Sequence, residues 1–166
     1  MSKLERAVYV LLILVCLVSL GVLVKNGFFG PAGTEPSEDS LVGKVGPSLP
    51  GTAWSDSDLN VVLLLDSHCR FCQESMPLYK KLSEMHRRNR KRFSLLVVGQ
   101  EYPERLSAYL KENSVEPERV SQAPYGFAGV KSTPAIFVLD SRGVIQRAYL
   151  GKLDWIRRTR LLIGLV

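Results

Sequence analysis

Two cysteines separated by two residues, Cys69-Arg70-Phe71-Cys72, stand where a continuous apolar run gives way to helical spacing. That placement has a chemical consequence. A helix N-terminus holds unpaired N–H groups and a partial positive charge, so it stabilises a thiolate and lowers the pKa of a cysteine in its first turn. Cys69 is expected to be that residue. One turn in, Cys72 faces the same side and can attack a mixed disulfide formed at Cys69, closing a small ring and releasing the partner. The spacing therefore predicts a nucleophile, Cys69, and a resolver, Cys72. Arg70 adds a cation beside the thiolate, and His68 does so when protonated; the plainer readings are a solvated charge and a half-exposed imidazole. Phe71, at the exposed tip of the motif, offers apolar contact to a docking polypeptide. The competing use of such a pair, half of a zinc ribbon, needs a second Cys or His pair, and only His68, His86 and Cys16 remain. No metal site is expected.

The elements that must hold this pair are legible as alternating signals. Val61-Val62-Leu63-Leu64-Leu65 and Ser94-Leu95-Leu96-Val97-Val98 are short apolar runs, the mark of strands buried on both faces. Helical spacing runs from Cys69 to about His86, and Pro103 to Asn113 is helical with Pro in its first turn. Ala135–Leu139 and Val144–Tyr149 flank Asp140-Ser141-Arg142-Gly143 as a hairpin, and Leu153 to Leu165 closes the chain as a helix. The expected architecture is an α/β sheet with an antiparallel edge, flanked by helices.

Ahead of these elements, residues 7–24 read AVYVLLILVCLVSLGVLV, eighteen residues without a charge between Arg6 and Lys25. At 1.5 Å per residue this is about 27 Å of helix, close to the roughly 30 Å of a bilayer's hydrocarbon core. No small-x-small cleavage site follows, which favours an uncleaved anchor over a cleaved signal. Lys3, Arg6 and the terminal amine bias the N-terminus toward the cytoplasm. Residues 25–50 are rich in Gly and Pro and carry neither helical nor strand periodicity, so they read as a flexible tether. The expected organisation is a cytoplasmic N-terminus (1–6), a transmembrane anchor (7–24), the tether (25–50) and a folded domain (51–166) outside the cytoplasmic membrane.

Composition agrees with that plan. A chain of 166 residues, 46% hydrophobic and 23% charged, is a globular protein rather than a disordered polymer. The net charge of +6 resides in Lys80, Lys81, Arg87, Arg88, Arg90, Lys91 and Arg92 less Glu84. Neither interleaved aromatics nor a nucleic-acid motif accompanies it, so no nucleic-acid partner is expected. The run His86 to Arg92 reads as the solvated end of a helix, with anionic lipid headgroups as the alternative contact.

At these residues the chain resembles the thioredoxin superfamily, most of all the membrane-anchored TlpA/ResA-like thiol-disulfide oxidoreductases, or redoxins. The resemblance covers roughly Val45 to Gly151. Cys69-x-x-Cys72 matches the redox motif, and Pro77 matches the proline that kinks the active-site helix. Gly129-Val130-Lys131-Ser132-Thr133-Pro134 resembles the family's Gly-Val-x-x-Thr-Pro, whose proline is cis and lies beside the two sulfurs. The resemblance implies a thioredoxin-like fold for 51–166, with a central mixed sheet. It also implies a substrate platform at Thr133 and Pro134, because a cis X–Pro turn leaves the preceding backbone free to pair with an extended strand. Three positions depart from the pattern. His68 stands where the family commonly has Trp. Leu63 replaces a buried Asp six residues before the first cysteine, and Ser75 replaces the Glu that related cytochrome-maturation proteins often carry six residues after it. Asp66 and Glu74 are nearby carboxylates, and the proton relay is left unassigned.

The function these readings imply is extracytoplasmic, periplasmic-side thiol-disulfide exchange with protein substrates. The pair would act as a reductant, for example in cytochrome c maturation or envelope thiol maintenance. It would need no cofactor beyond the redox-active Cys69–Cys72 disulfide, and a membrane-borne or other thiol donor would return electrons to it. Two alternatives stand beside it. A peroxiredoxin-like peroxidase would want Pro and Thr or Ser where Val62 and Asp66 stand, and a metal- or partner-binding module would survive loss of Cys69.

Overall fold

The apolar run around Val61 becomes the centre of a five-stranded sheet in the computed structural model, which describes residues 11–19 and 35–165. The elements in chain order are α1 (Glu38–Leu41), a 3-10 turn (Trp54–Asp56), β1 (Leu59–Leu64), α2 (Arg70–Glu74), α3 (Met76–Arg88) and β2 (Phe93–Gly99). They continue with α4 (Pro103–Glu112), β3 (Arg119–Gln122), β4 (Ala135–Asp140), β5 (Ile145–Leu150) and α5 (Trp155–Ile163). Strand order is β3-β2-β1-β4-β5. β1 and β3 pair parallel with β2, while β4 pairs antiparallel with both β1 and β5. The sheet is mixed, and its antiparallel side is the expected hairpin.

Strand alternation sends successive side chains to opposite faces, and both faces are covered. Val61, Leu63 and Leu65 pack with Leu78 and Leu82 of α3, Leu106 and Leu110 of α4, and Leu161 of α5. Val62 and Leu64 pack on the other face with Leu41, Leu49, Phe127 and Val130. Double-sided burial is why β1 reads as an unbroken apolar run. The register then brings the site together. Leu64 pairs with Ala135 on β4, and Ala135 pairs with Leu150 on β5. The loop that leaves β1 toward Cys69 therefore emerges beside Pro134, the residue just before β4.

Three expectations need correction. The helix expected from Cys69 to His86 is two helices meeting at Ser75 (φ −93°, ψ −2°). Pro77 has no N–H to offer the Gln73 carbonyl, so the helical ladder cannot run through that turn. His86 is buried rather than solvated with the basic run, its Nδ1 lying 2.9 Å from the Phe93 carbonyl oxygen. Third, the span 25–50 is not a tether throughout, because the folded unit begins at Glu35. Leu41 is completely buried, and residues 43–46 pair with the strand that becomes β5: Gly43 N–H donates to the Ile145 carbonyl (2.8 Å) and Gly46 N–H to that of Gly143 (2.8 Å). Gly46 is glycine for contact. A Cβ there would sit 2.6 Å from Leu139 Cδ2 and 3.2 Å from Phe127 Cζ. Gly46 serves close approach, not flexibility. Leu41→Ala should accordingly cost about 3 kcal/mol of unfolding free energy, the usual range for a buried leucine; a urea midpoint equal to wild type would restore the tether.

Residues Met1–Thr34 form a separate unit, of which 11–19 are helical. Among the described residues no helix is long and apolar enough to cross a membrane. The expected span 7–24 extends beyond the described residues at both ends, and the segment 1–6, expected to be cytoplasmic, lies outside them.

Candidate active site

Cys69 is the N-cap of α2 rather than a residue of its first turn, with extended backbone (φ −75°, ψ 115°). Its sulfur takes the role a capping oxygen usually fills, accepting the Cys72 N–H at 3.3 Å. The same Sγ donates to the Thr133 carbonyl at 3.4 Å, across a sequence separation of 64 residues. The Thr133–Pro134 peptide is cis. Thus the helix N-terminus and the loop before β4 meet at one sulfur. Both cysteines are free thiols; Cys69 is half-buried and Cys72 is fully buried behind it.

The environments drive the two thiols apart. Partial burial opposes ionisation of Cys69, but the Cys72 thiol, the Thr133 hydroxyl and the N–H groups of Cys72 and Phe71 outweigh it and lower its pKa. Burial, and then the Cys69 sulfur beside it, push Cys72 up to about 12. The result is one half-buried thiol ready to ionise and one held protonated.

Around the pair, the expected residues have different surroundings. Phe71 is 54% exposed beside the motif. Arg70 extends into solvent and pairs with Glu74 (Nε–Oε1 2.9 Å), which also binds Lys152 at 2.6 Å. Its charge is spent along the flank of α2 rather than at the sulfur. His68 is also mostly exposed, and its Nε2 lies 2.7 Å from an Arg105 guanidinium nitrogen. A guanidinium only donates, so Nε2 accepts, which places the ring proton on Nδ1, toward Ser67 Oγ at 3.2 Å. Arg105, not the imidazole, supplies the cation there.

Arg105 and Glu101 were not singled out by spacing or charge. Glu101 accepts from the Ser67 N–H (2.7 Å) and hydroxyl (2.8 Å) and lies 3.5 Å from Arg105. Together they fix the Asp66–His68 loop that delivers Cys69. Tyr109, on the same helix, buries its hydroxyl without a hydrogen-bond partner, and burial followed by the neighbouring Cys72 raises its pKa. At the positions considered for proton relay, Ser75 donates its hydroxyl to the Phe71 carbonyl (2.8 Å), Asp66 accepts the His68 N–H (2.7 Å), and Glu74 is tied to its two cations. Among the described residues no group of three or more His, Cys, Asp or Glu is placed to hold a metal ion.

No family model matches the chain, and no curated protein matches it. Solved structures do. A thiol-disulfide isomerase from Corynebacterium glutamicum superposes with a TM-score of 0.55 at 18% identity, covering 80% of this chain and 96% of its own. A thiol:disulfide interchange protein from Bacteroides sp. gives 0.57 at 14% identity, over 75% and 90%. The thioredoxin domain of a thiol-disulfide oxidoreductase from Bacteroides vulgatus gives 0.54 at 15% identity, over 74% and 97%. The chain shares the thioredoxin-like fold of these thiol-disulfide exchange proteins.

Proposed function

We propose that the chain is an extracytoplasmic, membrane-anchored thiol-disulfide oxidoreductase that reduces disulfides in protein substrates. The observation that carries the reading is the asymmetry of the pair: an accessible Cys69 with a lowered pKa in front of a buried Cys72 held near 12. The Cys69 thiolate attacks a substrate disulfide, forming a mixed disulfide and expelling one substrate thiolate, which takes up a proton. Cys72 then gives up its proton and attacks Cys69 Sγ. The Cys69–Cys72 disulfide forms and the second substrate thiol leaves. Two electrons have passed to the substrate, and a membrane-borne or other dithiol donor returns them. The redox equivalents reside in the cysteine pair, with no further cofactor.

Direction depends on how far the thiolate is stabilised, since a very stable thiolate makes the pair an oxidant. No His lies between the cysteines, and the Arg70 charge is compensated by Glu74. Both favour a reductant. The apolar stretch 7–24 with its basic N-terminal flank supports an anchor that places the domain on the periplasmic side. Cytochrome c maturation and envelope thiol maintenance are the services that fit.

Equilibration of the purified protein with a glutathione buffer tests the direction. A potential close to about −270 mV, as in thioredoxin, is expected, and one near about −120 mV would make the protein an oxidant. In cells with only the outer membrane opened, an impermeant maleimide should label Cys69; labelling only after inner-membrane lysis would reverse the topology.

A further inference from the structure

The loop that carries Thr133 is held from outside the sheet. Glu35, at the start of the folded unit, accepts the N–H groups of Lys131 (2.9 Å) and Ser132 (2.7 Å) on Oε1 and the Ser132 hydroxyl (2.6 Å) on Oε2. One residue further on, the Thr133 carbonyl meets Cys69 Sγ. Three residues after Glu35 in the chain, Glu38 accepts the Leu150 N–H (2.6 Å) and an Arg157 guanidinium on one oxygen. Leu150 pairs with Ala135, and the next residue, Gly151, donates its N–H to the Pro134 carbonyl at 2.8 Å. One carboxylate of this short segment thus holds the turn before Pro134, and the other holds the end of β5 that pairs with the residue after it.

The grip matters because the Lys131 and Ser132 N–H groups have their partner in Glu35, whereas residues 126–130 before them are already fixed, Phe127 and Val130 being buried and exchanging backbone hydrogen bonds at 2.9 Å. Lys131 and Ser132 lie outside the strands. Such a turn holds its place when bonds from elsewhere fix it, and charge-assisted bonds to a carboxylate are the stronger kind. The Ser132 hydroxyl, with the two N–H groups and the Lys131 charge and against the cost of burial, also holds the Glu35 carboxyl below the usual carboxylate range.

We infer that Glu35 is a positioning residue for disulfide exchange: its carboxylate sets the Lys131–Ser132 turn and so places Thr133 against Cys69, with Glu38 holding the end of β5. The inference rests on the exchange reading for its consequence at the substrate. Thr133 has two duties at the site, a hydroxyl that helps Cys69 ionise and, in that reading, backbone groups that pair with the substrate. Releasing the turn weakens both.

The test uses the full chain in detergent micelles. Its readouts are the pH profile of Cys69 alkylation by iodoacetamide and the kinetics of reduction of a fluorogenic disulfide peptide, with dithiothreitol as electron donor. Glu35→Ala should raise KM about tenfold with a smaller change in kcat and move the alkylation profile to higher pH. Glu35→Gln keeps an oxygen that accepts both N–H groups and should restore most of each. Ser132→Ala, which removes only the hydroxyl bond, should move the profile in the same direction by a smaller amount, and it decides the matter should Glu35→Ala fold poorly. Profiles of folded Glu35→Ala or of Ser132→Ala that coincide with wild type would overturn the inference. A wild-type protein that reduces no disulfide would overturn the exchange reading instead, and the alkylation profile would still report on the clasp.

Discussion

Cys69→Ser is expected to lower disulfide reduction to the uncatalysed background, a loss of about three orders of magnitude or more, while Cys72→Ser should stop the reaction one step later with the substrate still attached. A serine hydroxyl at the N-cap is not ionised at neutral pH and does not attack a disulfide, so the first variant never forms the mixed disulfide. In the second, Cys69 keeps its partial exposure and its bonds to the Cys72 backbone N–H and the Thr133 carbonyl, so attack proceeds. Release then requires a thiol from solution. The built-in resolver has a large advantage over that route, because a nearby, oriented group acts as if at a concentration far beyond any free thiol. Covalent adducts that vanish under reducing agent should therefore accumulate on Cys72→Ser and be absent from Cys69→Ser. Turnover retained in Cys69→Ser, or adducts formed equally by both variants, would show that Cys72 can initiate exchange and would remove the assigned roles. The peroxidase alternative meets the same pair of variants. A peroxidase would consume hydroperoxide in wild type and hold no protein adduct on Cys72→Ser.

How far the chain could be read without coordinates follows from the range of the interactions involved. β1, β2 and β4 are legible because double-sided burial writes continuous apolar runs. β3, Arg-Val-Ser-Gln at the sheet edge, has no such run, and its pairing with β2 over four residues left no sequence mark. The cysteine pair is equally local: nucleophile, resolver and helix start lie within four residues. Thr133 and Pro134 carry no signal of their own and were reachable only through the family motif. What escaped are carboxylates acting at a distance. Glu101 reaches Ser67 across 34 residues, Glu35 reaches Ser132 across 97, and Glu38 reaches Leu150 across 112. Nothing in periodicity or composition marks such a bond. The Gly- and Pro-rich setting of Glu35 and Glu38 also points the other way, toward a solvated linker, whereas Leu41 lies in the core. His68 and Arg70 show the same limit in charge: both stand beside the thiol in sequence, and their partners, Arg105 and Glu74, decide what each delivers.

Alkylation of the reduced protein at pH 7 should modify Cys69 and leave Cys72 intact. Two opposing effects set the size of that preference. Cys69, lowered below its ordinary value, carries a larger thiolate fraction at pH 7 than an unperturbed thiol. Cys72 at about 12 has a thiolate fraction of roughly one in 100,000. Against this, a more basic thiolate is the better nucleophile, with a Brønsted slope of about 0.4–0.5. The slope returns at most about half of the logarithmic difference in thiolate fraction, which leaves Cys69 ahead. Burial of Cys72 adds to the margin, since the reagent must also reach a sulfur with no exposed surface. The pH dependence has a definite sign. Acidification protonates the Cys69 thiolate and slows its reaction, alkalinisation speeds it until the lowered pKa is passed, and the rate is then level. The Cys72 rate keeps climbing toward about pH 12. Mass spectrometry of tryptic peptides after timed iodoacetamide pulses separates the two sites, because Arg70 puts a cleavage point between them. Equal rates at pH 7, or faster loss of the Cys72 thiol, would mean that the asymmetry of environment does not govern reactivity, and the order of attack and resolution would have to be reversed.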